Sequence, residues 1–596
     1  MTFNNFNFAV DPLHYAAYEW GLTTLVSALA RELRMGRYSP ERGEIVRSAK
    51  GIGLSRPLCF LATRDALVYR CITYLVRNQL VADAEKWVGF EHADKGNKDT
   101  PLIDEAGDSF DWFRFWLARQ GSLLEMIDDD SITHFVESDI ANFYPSISLE
   151  AVREHLHSQT KLVKEVVRLC VQIIDGVMPR SDYSEVSLMG LPQDHIGSSR
   201  AIAHSLLLHV DKEFRTEGEA GRYTRYMDDF LVAVTSVSAG QGIIGRLQLS
   251  LETLGLYPNA AKTHVLSKEQ YLKEYMVEQN GELERLSAAL ESLTTKTVPH
   301  ETTPTEEQRV ELSEMAVAHR TLEIRPKRWN RVSRRIYSLM RDIDNTDWQK
   351  YWLTDIQDDP GSAAPILEYV RSWPLDAASV GSLLDLSQDL SSLYADTPLL
   401  IAEVIVSAPV ADDPKLWSTI FSGSLGEFRR LANLGRTRPQ YERLAAAWLL
   451  SAWKFANKAQ RQVLLDAIPD DLDAISPIRA QALPLLAAEG RSISEWVAAK
   501  PGLDWATALS AEYLRSLEVG EDRATGVALD LSKPQLRLKP QRFTVLPRAL
   551  PLVEILGKAA SAKLLKVAPK ALANLRKNPD RLRDHRLEYL IAPWCP

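Results

Sequence analysis

Two segments of the chain place carboxylates at the ends of short apolar runs. One is FVESDIANFYPSI, residues 135–147, which contains Asp139, and the other is RYMDDFLVAV, residues 225–234, which contains Asp228 and Asp229. A single Asp at such a position usually caps a helix or forms a turn. Three of them flanking two apolar runs indicate a metal site instead, because Mg²⁺ prefers carboxylate oxygens together with substrate phosphates and water.

Such a site predicts phosphoryl transfer. Two divalent cations about 4 Å apart can activate an attacking hydroxyl and stabilise a leaving pyrophosphate. We therefore expect Asp139, Asp228 and Asp229 to be catalytic residues that hold two Mg²⁺ ions, with Mn²⁺ as the alternative ion. Without metal, the three negative charges would repel one another.

The surrounding patterns predict the elements that position these carboxylates. Short runs of β-branched and aromatic residues predict strands over 134–138 and 230–234. Apolar residues at helical spacing predict helices over 15–34, 64–80, 149–157, 162–175 and 198–214. An Asp after one strand and an Asp pair in the turn of a neighbouring hairpin would then form one cluster.

The second half of the sequence has a different character. A Thr-rich stretch over 292–308, with Pro299 and Pro304, predicts a linker. Beyond it, helix-length segments alternate with Pro, Gly and Asp turns. Since no fixed repeat period is present, this pattern favours a helical bundle or an irregular α-solenoid.

Composition excludes several classes of protein. The chain has 596 residues, 45% of them hydrophobic and 25% charged, as expected for a folded protein with two or three domains. No apolar run approaches the roughly 20 residues of a membrane span, and the first twelve residues lack a signal-peptide pattern. We therefore expect a cytoplasmic protein without membrane partners. Four scattered cysteines indicate neither a zinc site nor a disulfide framework.

The net charge of −9 leaves room for local basic surfaces. One candidate is a helix near residue 330, where arginines at helical spacing are accompanied by aromatic rings. There we expect Arg328, Trp329, Arg331 and Arg335 to contact nucleic acid, with Trp329 and Tyr337 stacking on bases. The alternative is a solvated basic helix face. The second candidate is the basic tail over 533–586, which could bind a phosphate backbone or pair with acidic patches elsewhere.

The motifs resemble those of a known family. YMDD between apolar strands is similar to the signature of reverse transcriptases, and DIANFYPSI resembles their first catalytic strand. Three more segments resemble the family in its own order: SAKGIGLSRPLCFLATRDALVYRCI (48–72), GLPQDHIGSSRAIAHSLL (190–208) and LGLYPNAAKTHVL (254–266). The resemblance covers roughly residues 15–275.

This resemblance implies an α+β right-hand polymerase. Residues 1–275 would form fingers and a palm with an antiparallel sheet, and 276–345 a linker and a basic, thumb-like helical segment. Residues 346–596 would form a large all-α, helical-repeat-like domain. The implied activity is that of an RNA-directed DNA polymerase, a nucleotidyltransferase that uses dNTPs.

The resemblance also implies roles for single residues. Gln193 would lie against the pair of nucleotide and template, and Lys262 would protonate the leaving pyrophosphate. Lys50 and Arg56 would grip the triphosphate. For Lys262, an ordinary surface lysine is the alternative.

Two further positions would contact the nucleotide. Tyr144 lies five residues after Asp139, where the family places an aromatic ring under the sugar, and Ile140 is the neighbouring substrate contact. A ring there would collide with a 2′-hydroxyl, which predicts preference for deoxynucleotides. Phe143 takes this role if the register differs by one, and a core aromatic residue is the alternative for either ring.

One segment departs from the common family pattern. After Leu191, Pro192 and Gln193, most reverse transcriptases have Gly, whereas this chain has Asp194 and His195. An added carboxylate and imidazole change what can pack near a template base. Untemplated or specially templated synthesis therefore stays open.

This departure and the long helical half resemble the bacterial abortive-infection and defence-associated reverse transcriptases. That resemblance implies antiviral (phage) defence and protein-primed or untemplated DNA synthesis. The implied partners are RNA or single-stranded DNA, a non-coding RNA and further copies of the chain. Two alternatives remain: a retroelement enzyme like those of retrons or group II introns, and a nucleic-acid-binding scaffold with a vestigial polymerase fold.

Overall fold

The structure is a computed structural model, and it describes most of the chain. The described residues are 16–51, 53–85, 87–88, 112–178, 189–194, 196–294, 305–343, 345–438, 440–473, 476–499, 505–531, 535–538, 541–544 and 550–558. The chain divides into two compact units. The first comprises Met1–Arg34, Val46–Arg56 and Glu278–Pro596, and the second comprises Met35–Ile45 and Pro57–Val277.

These units differ in outline from the three parts expected from the sequence, which stay a prediction. Residues 46–56, which the resemblance assigned to the fingers, belong to the unit that contains the C-terminal half. Most of the expected linker, residues 295–304, lies outside the described residues.

The strands form three small antiparallel sheets within the described residues. They are β1 Glu44–Gly51, β2 Leu54–Phe60, β3 His134–Ser138, β4 Tyr223–Tyr226, β5 Asp229–Val234, β6 His264–Ser267, β7 Gln535–Leu538 and β8 Gln541–Thr544. The largest sheet has the order β4-β5-β3-β6, and the other two are the pairs β1-β2 and β7-β8.

Helices make up most of the rest. In the first half they are α1 Ala16–Arg34, α2 Thr63–Leu80, α3 Trp112–Asp128, α4 Phe143–Ser146, α5 Leu149–Gln159, α6 Lys164–Val177, α7 Ser198–Leu206, α8 Leu208–Glu213, α9 Arg215–Glu219, α10 Val237–Glu252, α11 Lys268–Tyr275 and α12 Val277–Thr294. In the second half they are α13 Glu306–Arg320, α14 Trp329–Asp342, α15 Trp352–Asp358, α16 Ala363–Val370, α17 Ala377–Leu390, α18 Asp396–Ser407, α19 Pro414–Gly435, α20 Gln440–Phe455, α21 Lys458–Asp466, α22 Pro477–Ala488, α23 Ile493–Ala499, α24 Trp505–Glu518, α25 Asp522–Leu531 and α26 Leu550–Lys558. None of the described helices combines the length and the apolar composition needed to cross a bilayer.

The four-stranded sheet is the framework of the second unit. Its central strand β3 pairs antiparallel with β5 and β6, so Phe135 lies opposite Ala233 and Leu266. Phe135 is fully buried in a cluster with Met126 and Tyr271, from the helices that flank the sheet. On a β strand the neighbouring side chain points to the opposite face, and there Val136 approaches Gly240 of α10, where a Cβ would lie 3.2 Å from Val136. This packing helps to hold the strand ends in register. Replacing Phe135 by Ala would lower the free energy of unfolding by about 3–5 kcal/mol.

The helix expected over 198–214 is interrupted. The segment divides into α7 and α8, with the Leu207 N–H donating to the His204 carbonyl at 3.1 Å. This i→i+3 bond tightens the turn between the two helices. Apolar spacing continues across the break, which is why the sequence pattern alone predicts one helix.

The first unit is a stack of helices with a small sheet. The long helices α19 and α20 pack against each other, and α20 also packs against α18 and α22. Trp448 and Trp453 of α20 are fully buried in this stack. The expectation of an all-α C-terminal domain is wrong in one detail, because β7 and β8 form an antiparallel hairpin. Apart from 535–538, 541–544 and 550–558, the basic tail over 533–586 lies outside the described residues.

Part of the β1-β2 hairpin is bound to helices of the same unit. The carboxylate of Asp396, at the start of α18, accepts hydrogen bonds from the Ser48 hydroxyl at 2.7 Å and from the Ala49 N–H at 3.1 Å. The hydroxyl of Tyr394 donates to the Gly51 carbonyl at 2.8 Å and accepts from the Gly53 N–H at 2.7 Å. Hydrogen bonds to Asp396 and Tyr394 thus hold this part of the hairpin against the helical stack.

Candidate active site

Strand register brings the three predicted aspartates to one end of the sheet. Ser138 of β3 lies opposite Phe230 of β5, so Asp139 follows and Asp229 precedes this pair at the same edge. Tyr226 pairs with Asp229, which leaves Met227 and Asp228 as the two-residue turn between β4 and β5. The convergence of carboxylates expected from the sequence is therefore present.

The electrostatics of Asp228 reflect this crowding. The pKa of its carboxyl is raised to about 7, first by burial and then by the negative charges of Asp229 and Asp139. Each of these effects disfavours the ionised form. A nearby cation would reverse the imbalance, because an opposite charge favours the carboxylate.

Lys262 supplies one such cation. Its Nζ donates to Oδ2 of Asp139 at 2.5 Å, and its side chain is 44% exposed. The segment that carries Lys262 is held to the same strand end, because the Asn259 N–H donates to the Asp139 carbonyl at 2.7 Å. Hydroxyls of Ser138 and Thr263 meet at 2.8 Å beside it. The lysine is thus held through its backbone segment, and its side chain is partly exposed to solvent.

The donor set suits a hard divalent cation. Asp139, Asp228 and Asp229 offer only carboxylate oxygens, which Mg²⁺ and Mn²⁺ prefer. Across the described residues, however, no group of three or more His, Cys, Asp or Glu side chains is gathered closely enough to hold a metal as it stands. The Lys262 ammonium lies on one oxygen of Asp139, so this pair must separate before Asp139 can contribute both oxygens to an ion.

The two aromatic candidates for the sugar position occupy different environments. Phe143 is 3% exposed and belongs to the core, whereas Tyr144 is half-buried, and their rings meet edge to face at 5.4 Å. The Tyr144 carbonyl accepts from the Leu191 N–H at 2.9 Å, which ties it to the segment containing Gln193. Burial raises the pKa of the Tyr144 hydroxyl, which lies within electrostatic reach of Arg200 and Asp228.

The Ile140 side chain does not reach the surface. It is 2% exposed, and its backbone forms an isolated antiparallel bridge with Pro258. Its expected contact with substrate is wrong for the side chain, because this side chain packs in the core.

The segment after Leu191 and Pro192 has a structural explanation. The carboxylate of Asp194, 5% exposed, accepts from the backbone N–H groups of Ile196, Ser198 and Ser199 at 3.0, 3.2 and 2.7 Å. It therefore caps the start of α7, where N–H groups lack helical partners. Gln193 is half-buried, and its carbonyl accepts from the Cys59 N–H at 2.9 Å. His195 lies outside the described residues.

Sequence reasoning missed one basic residue near the site. Arg200, in the first turn of α7, lies within electrostatic reach of the hydroxyls of Tyr144 and Tyr226. Its segment was recognised, but nothing in the spacing distinguished this arginine from the other basic residues of the chain. Its contact with Tyr144 makes it a candidate contact for a nucleotide phosphate.

The two candidate triphosphate ligands lie on the β1-β2 hairpin, in the first unit. Lys50 is exposed near the end of β1, and Arg56 is half-buried in β2. Their role with the nucleotide stays a prediction.

The aromatic rings of the basic helix α14 do not have the environment that the sequence predicted. Trp329 is 6% exposed, its ring stacks on His319 at 4.6 Å, and its N–H donates to the His319 carbonyl. Tyr337 is fully buried and donates to Asp355 at 2.6 Å. The expectation that these rings stack on bases is wrong for this structure, because neither ring is accessible.

The arginines of α14 are also partly engaged. Arg335 contacts the Asn280 carbonyl at 3.2 Å and the Glu284 carboxylate at 2.7 Å. Arg328 and Arg331 are half-buried, and each has an interaction within the protein. Their contact with nucleic acid stays a prediction.

Comparisons with known proteins provide a distant likeness. No protein-family model and no curated protein matches the chain. A structure of telomerase from Candida tropicalis in complex with the TWJ fragment of telomeric RNA aligns with 61% of this chain at 11% identity and a TM-score of 0.26. Apo telomerase from the same organism aligns with 81% of this chain and 73% of its own, again at 11% identity and 0.26. The chain spans less than two thirds of the first telomerase, 62% of it, and a likeness of this degree carries no argument about function.

Proposed function

We propose that this protein is a DNA polymerase of the reverse-transcriptase type, which adds deoxynucleotides to a 3′ end. The observation that supports it is the meeting of Asp139, Asp228 and Asp229 at one end of an antiparallel sheet, beside Lys262. Nucleotide addition is a phosphoryl transfer, in which charge spreads over phosphate oxygens and positioning does most of the catalysis. A rigid sheet edge carrying three carboxylates meets that requirement.

Asp139, Asp228 and Asp229 would hold two Mg²⁺ ions, or Mn²⁺, which when bound supply charge neutralisation and activation of the attacking hydroxyl. The carboxylates themselves must be ionised for this role. The pKa of Asp228 is raised to about 7, so this carboxyl is only partly ionised near neutral pH. We therefore expect the apparent affinity for Mg²⁺ to rise with pH through the neutral range.

Lys262 would act as the proton donor to the leaving pyrophosphate. Its Nζ carries protons, lies 2.5 Å from Asp139, and sits on a side chain exposed enough to turn toward a substrate. General acids of this kind contribute typically 10²–10⁴-fold to rate. When no substrate is present, the ion pair with Asp139 holds the ammonium next to the reaction centre.

Tyr144 would select the sugar, with Gln193 beside the base pair of nucleotide and template. Half-burial and the backbone bond to Leu191 hold Tyr144 in place, and Arg200 lies close enough to bind an adjacent phosphate. Because the Asp194 carboxylate is occupied in capping α7, it does not project toward a template. Templated and untemplated synthesis are both compatible with this loop.

The biological setting proposed from the sequence resemblance is phage defence. Its substrates would be dNTPs, and its partners RNA or single-stranded DNA, a non-coding RNA and other copies of the chain. Priming by a protein hydroxyl belongs to the same proposal. Among the described tyrosines of the second half, four are unsuited to priming because they are fully buried: Tyr337, Tyr369, Tyr394 and Tyr513.

The test compares the wild-type protein with the double variant Asp228→Ala, Asp229→Ala. Each is incubated with the four dNTPs and Mg²⁺, with no added template, and incorporation is measured. Losing metal ligands worth several kcal/mol should lower incorporation by about a thousandfold or more, while circular dichroism stays unchanged. The control variant carries Asp128→Ala and Asp130→Ala, two exposed aspartates at the end of α3 and in the turn that follows it.

Three outcomes separate the alternatives. If phage protection survives in the double variant Asp228→Ala, Asp229→Ala, the hypothesis of a nucleic-acid-binding scaffold would be favoured. Synthesis that requires a co-purified RNA, identified by sequencing the bound nucleic acid with and without nuclease treatment, would favour a retroelement enzyme. Wild-type protein without incorporation under any of these conditions would end the polymerase proposal.

A further inference from the structure

A buried ion pair lies directly behind the turn that carries Asp228 and Asp229. Arg225 of β4 is 0% exposed, and its Nε donates to Oδ1 of Asp211 at 2.8 Å while Nη2 contacts Oδ2. Asp211, on α8, is 4% exposed and also accepts from the Tyr223 hydroxyl at 2.5 Å. The pair thus joins a helix to the strand that leads into the turn.

The third nitrogen of the guanidinium reaches the turn itself. Nη1 of Arg225 donates to the Met227 carbonyl at 2.8 Å and lies 3.4 Å from Nδ1 of His204. Met227 has φ of +56°, in the left-handed region that residues with a side chain rarely adopt. Such a conformation persists only where surrounding contacts hold it.

We propose that Arg225 is a positioning residue, which holds the Met227 backbone in its left-handed conformation and thereby aims Asp228 and Asp229. The proposal rests on the function proposed above. Asp211 fixes the plane of the guanidinium through two parallel bonds, so that the remaining nitrogen points at the Met227 carbonyl. Lysine cannot replace this arrangement, since a single ammonium lacks the rigid fork that serves a carboxylate and a carbonyl together.

The direct test is Arg225→Lys, which keeps the charge and removes the fork. Misplacing catalytic groups by about 1 Å can reduce rates by 10²-fold, so we expect kcat for dNTP incorporation to fall by about 10- to 100-fold. The KM for dNTP should change less than about twofold, since a turn that only aims the aspartates affects chemistry more than binding. The matched control is Arg222→Lys in the same hairpin, because that guanidinium contacts Ser131 and Asp129 instead of the turn.

A second variant distinguishes aiming from general support of the fold. Glycine adopts positive φ without a steric penalty, so Met227→Gly removes the steric cost of the conformation that Arg225 is proposed to hold. In that background the kcat loss caused by Arg225→Lys should shrink severalfold. An equal loss in both backgrounds would overturn the proposal, since sites that act independently have additive effects.

Hydrogen exchange supplies a readout that does not depend on activity. In Arg225→Lys, amide protection of residues 226–230 should fall at least tenfold relative to wild type, while protection of β3 stays the same. Unchanged amide protection at the turn would refute the positioning role of Arg225, whatever the activity data show. If amide protection weakens in Arg225→Lys but the wild-type protein never incorporates dNTPs, the polymerase proposal would be refuted and the positioning role of Arg225 would stand.

Discussion

At the scale of single residues, the candidate site is a balance between negative and positive charge. Three carboxylates converge, and the cation that meets them is the Lys262 ammonium on Asp139. Burial, and then the like charges of Asp229 and Asp139, raise the pKa of Asp228 to about 7. Carboxylates arranged in this way favour the binding of a cation, which is the physical content of the polymerase proposal.

The sugar selectivity proposed for Tyr144 is testable at this scale. Tyr144→Ala removes the ring that would collide with a 2′-hydroxyl, so ribonucleotides should be accepted at least about tenfold more readily relative to deoxynucleotides, a change of roughly 1.4 kcal/mol. The measurement is the ratio of kcat/KM for dCTP and CTP. Tyr144→Phe keeps the ring and should keep the discrimination.

Phe143 provides the opposing case. If the ring under the sugar were Phe143, then Tyr144→Ala would leave sugar discrimination unchanged. Because Phe143 is 3% exposed, its own replacement by Ala should mainly lower stability.

At the scale of elements, single polar side chains decide how segments dock. Asp194 caps α7, Asp211 joins α8 to β4 through Arg225, and Asp396 binds the hairpin that carries Lys50 and Arg56. In each case a carboxylate accepts several hydrogen bonds in a buried place. Removing such an acceptor leaves donors unsatisfied, which costs more than the bond itself contributes.

Asp396→Ala tests this at the hairpin. It leaves the Ser48 hydroxyl and the Ala49 N–H without their acceptor, so we expect stability to fall by about 1–3 kcal/mol. Amide exchange over residues 46–51 should accelerate, as measured by mass spectrometry. The control is Asp376→Ala, which removes the exposed cap of α17, where Asp376 accepts from the Ser379 N–H at 2.7 Å. Equal exchange at the hairpin in both variants would contradict the role of Asp396.

At the scale of the whole molecule, each unit contains a histidine kept neutral by its surroundings. In the second unit, burial lowers the pKa of His155 to about 4, and its ring bonds the Ser205 hydroxyl at 2.8 Å. In the first unit, burial and then the charges of Arg320 and Arg325 lower the pKa of His319 to about 4. Both groups favour the folded state only while they are neutral.

The consequence is sensitivity to acid. Between the unfolded pKa near 6.5 and the folded value near 4, the unfolded chain binds protons that the folded chain excludes, so stability is lost as pH falls through this window. The loss is about 1.4 kcal/mol per pH unit for each histidine. Denaturant unfolding at pH 7 and pH 5 should show it, and His155→Asn and His319→Gln should each flatten the dependence. A slope identical in wild type and variants would exclude these histidines as its cause.

Local patterns account for much of the fold. The strand predicted over 134–138 agrees with β3, and the helices predicted over 15–34, 64–80, 149–157 and 162–175 agree with α1, α2, α5 and α6 within a few residues. These agreements rest on side-chain spacing and on residue preferences for helix or strand, which act within one segment. The break between α7 and α8 and the β7-β8 hairpin were missed, because local apolar spacing does not distinguish them from continuous helix.

The sequence alone identified the three candidate carboxylates, because Asp139, Asp228 and Asp229 stand at strand ends that meet when those strands pair antiparallel. Which other side chains serve the site was decided by the tertiary structure. From the sequence, Trp329 was expected to stack on a base, but its ring is buried against His319. Arg225 had no expected role, but it is bonded to the turn that carries Asp228 and Asp229. The physical reason is that burial and hydrogen-bond partners depend on contacts between residues distant in the chain, which spacing within a segment does not record.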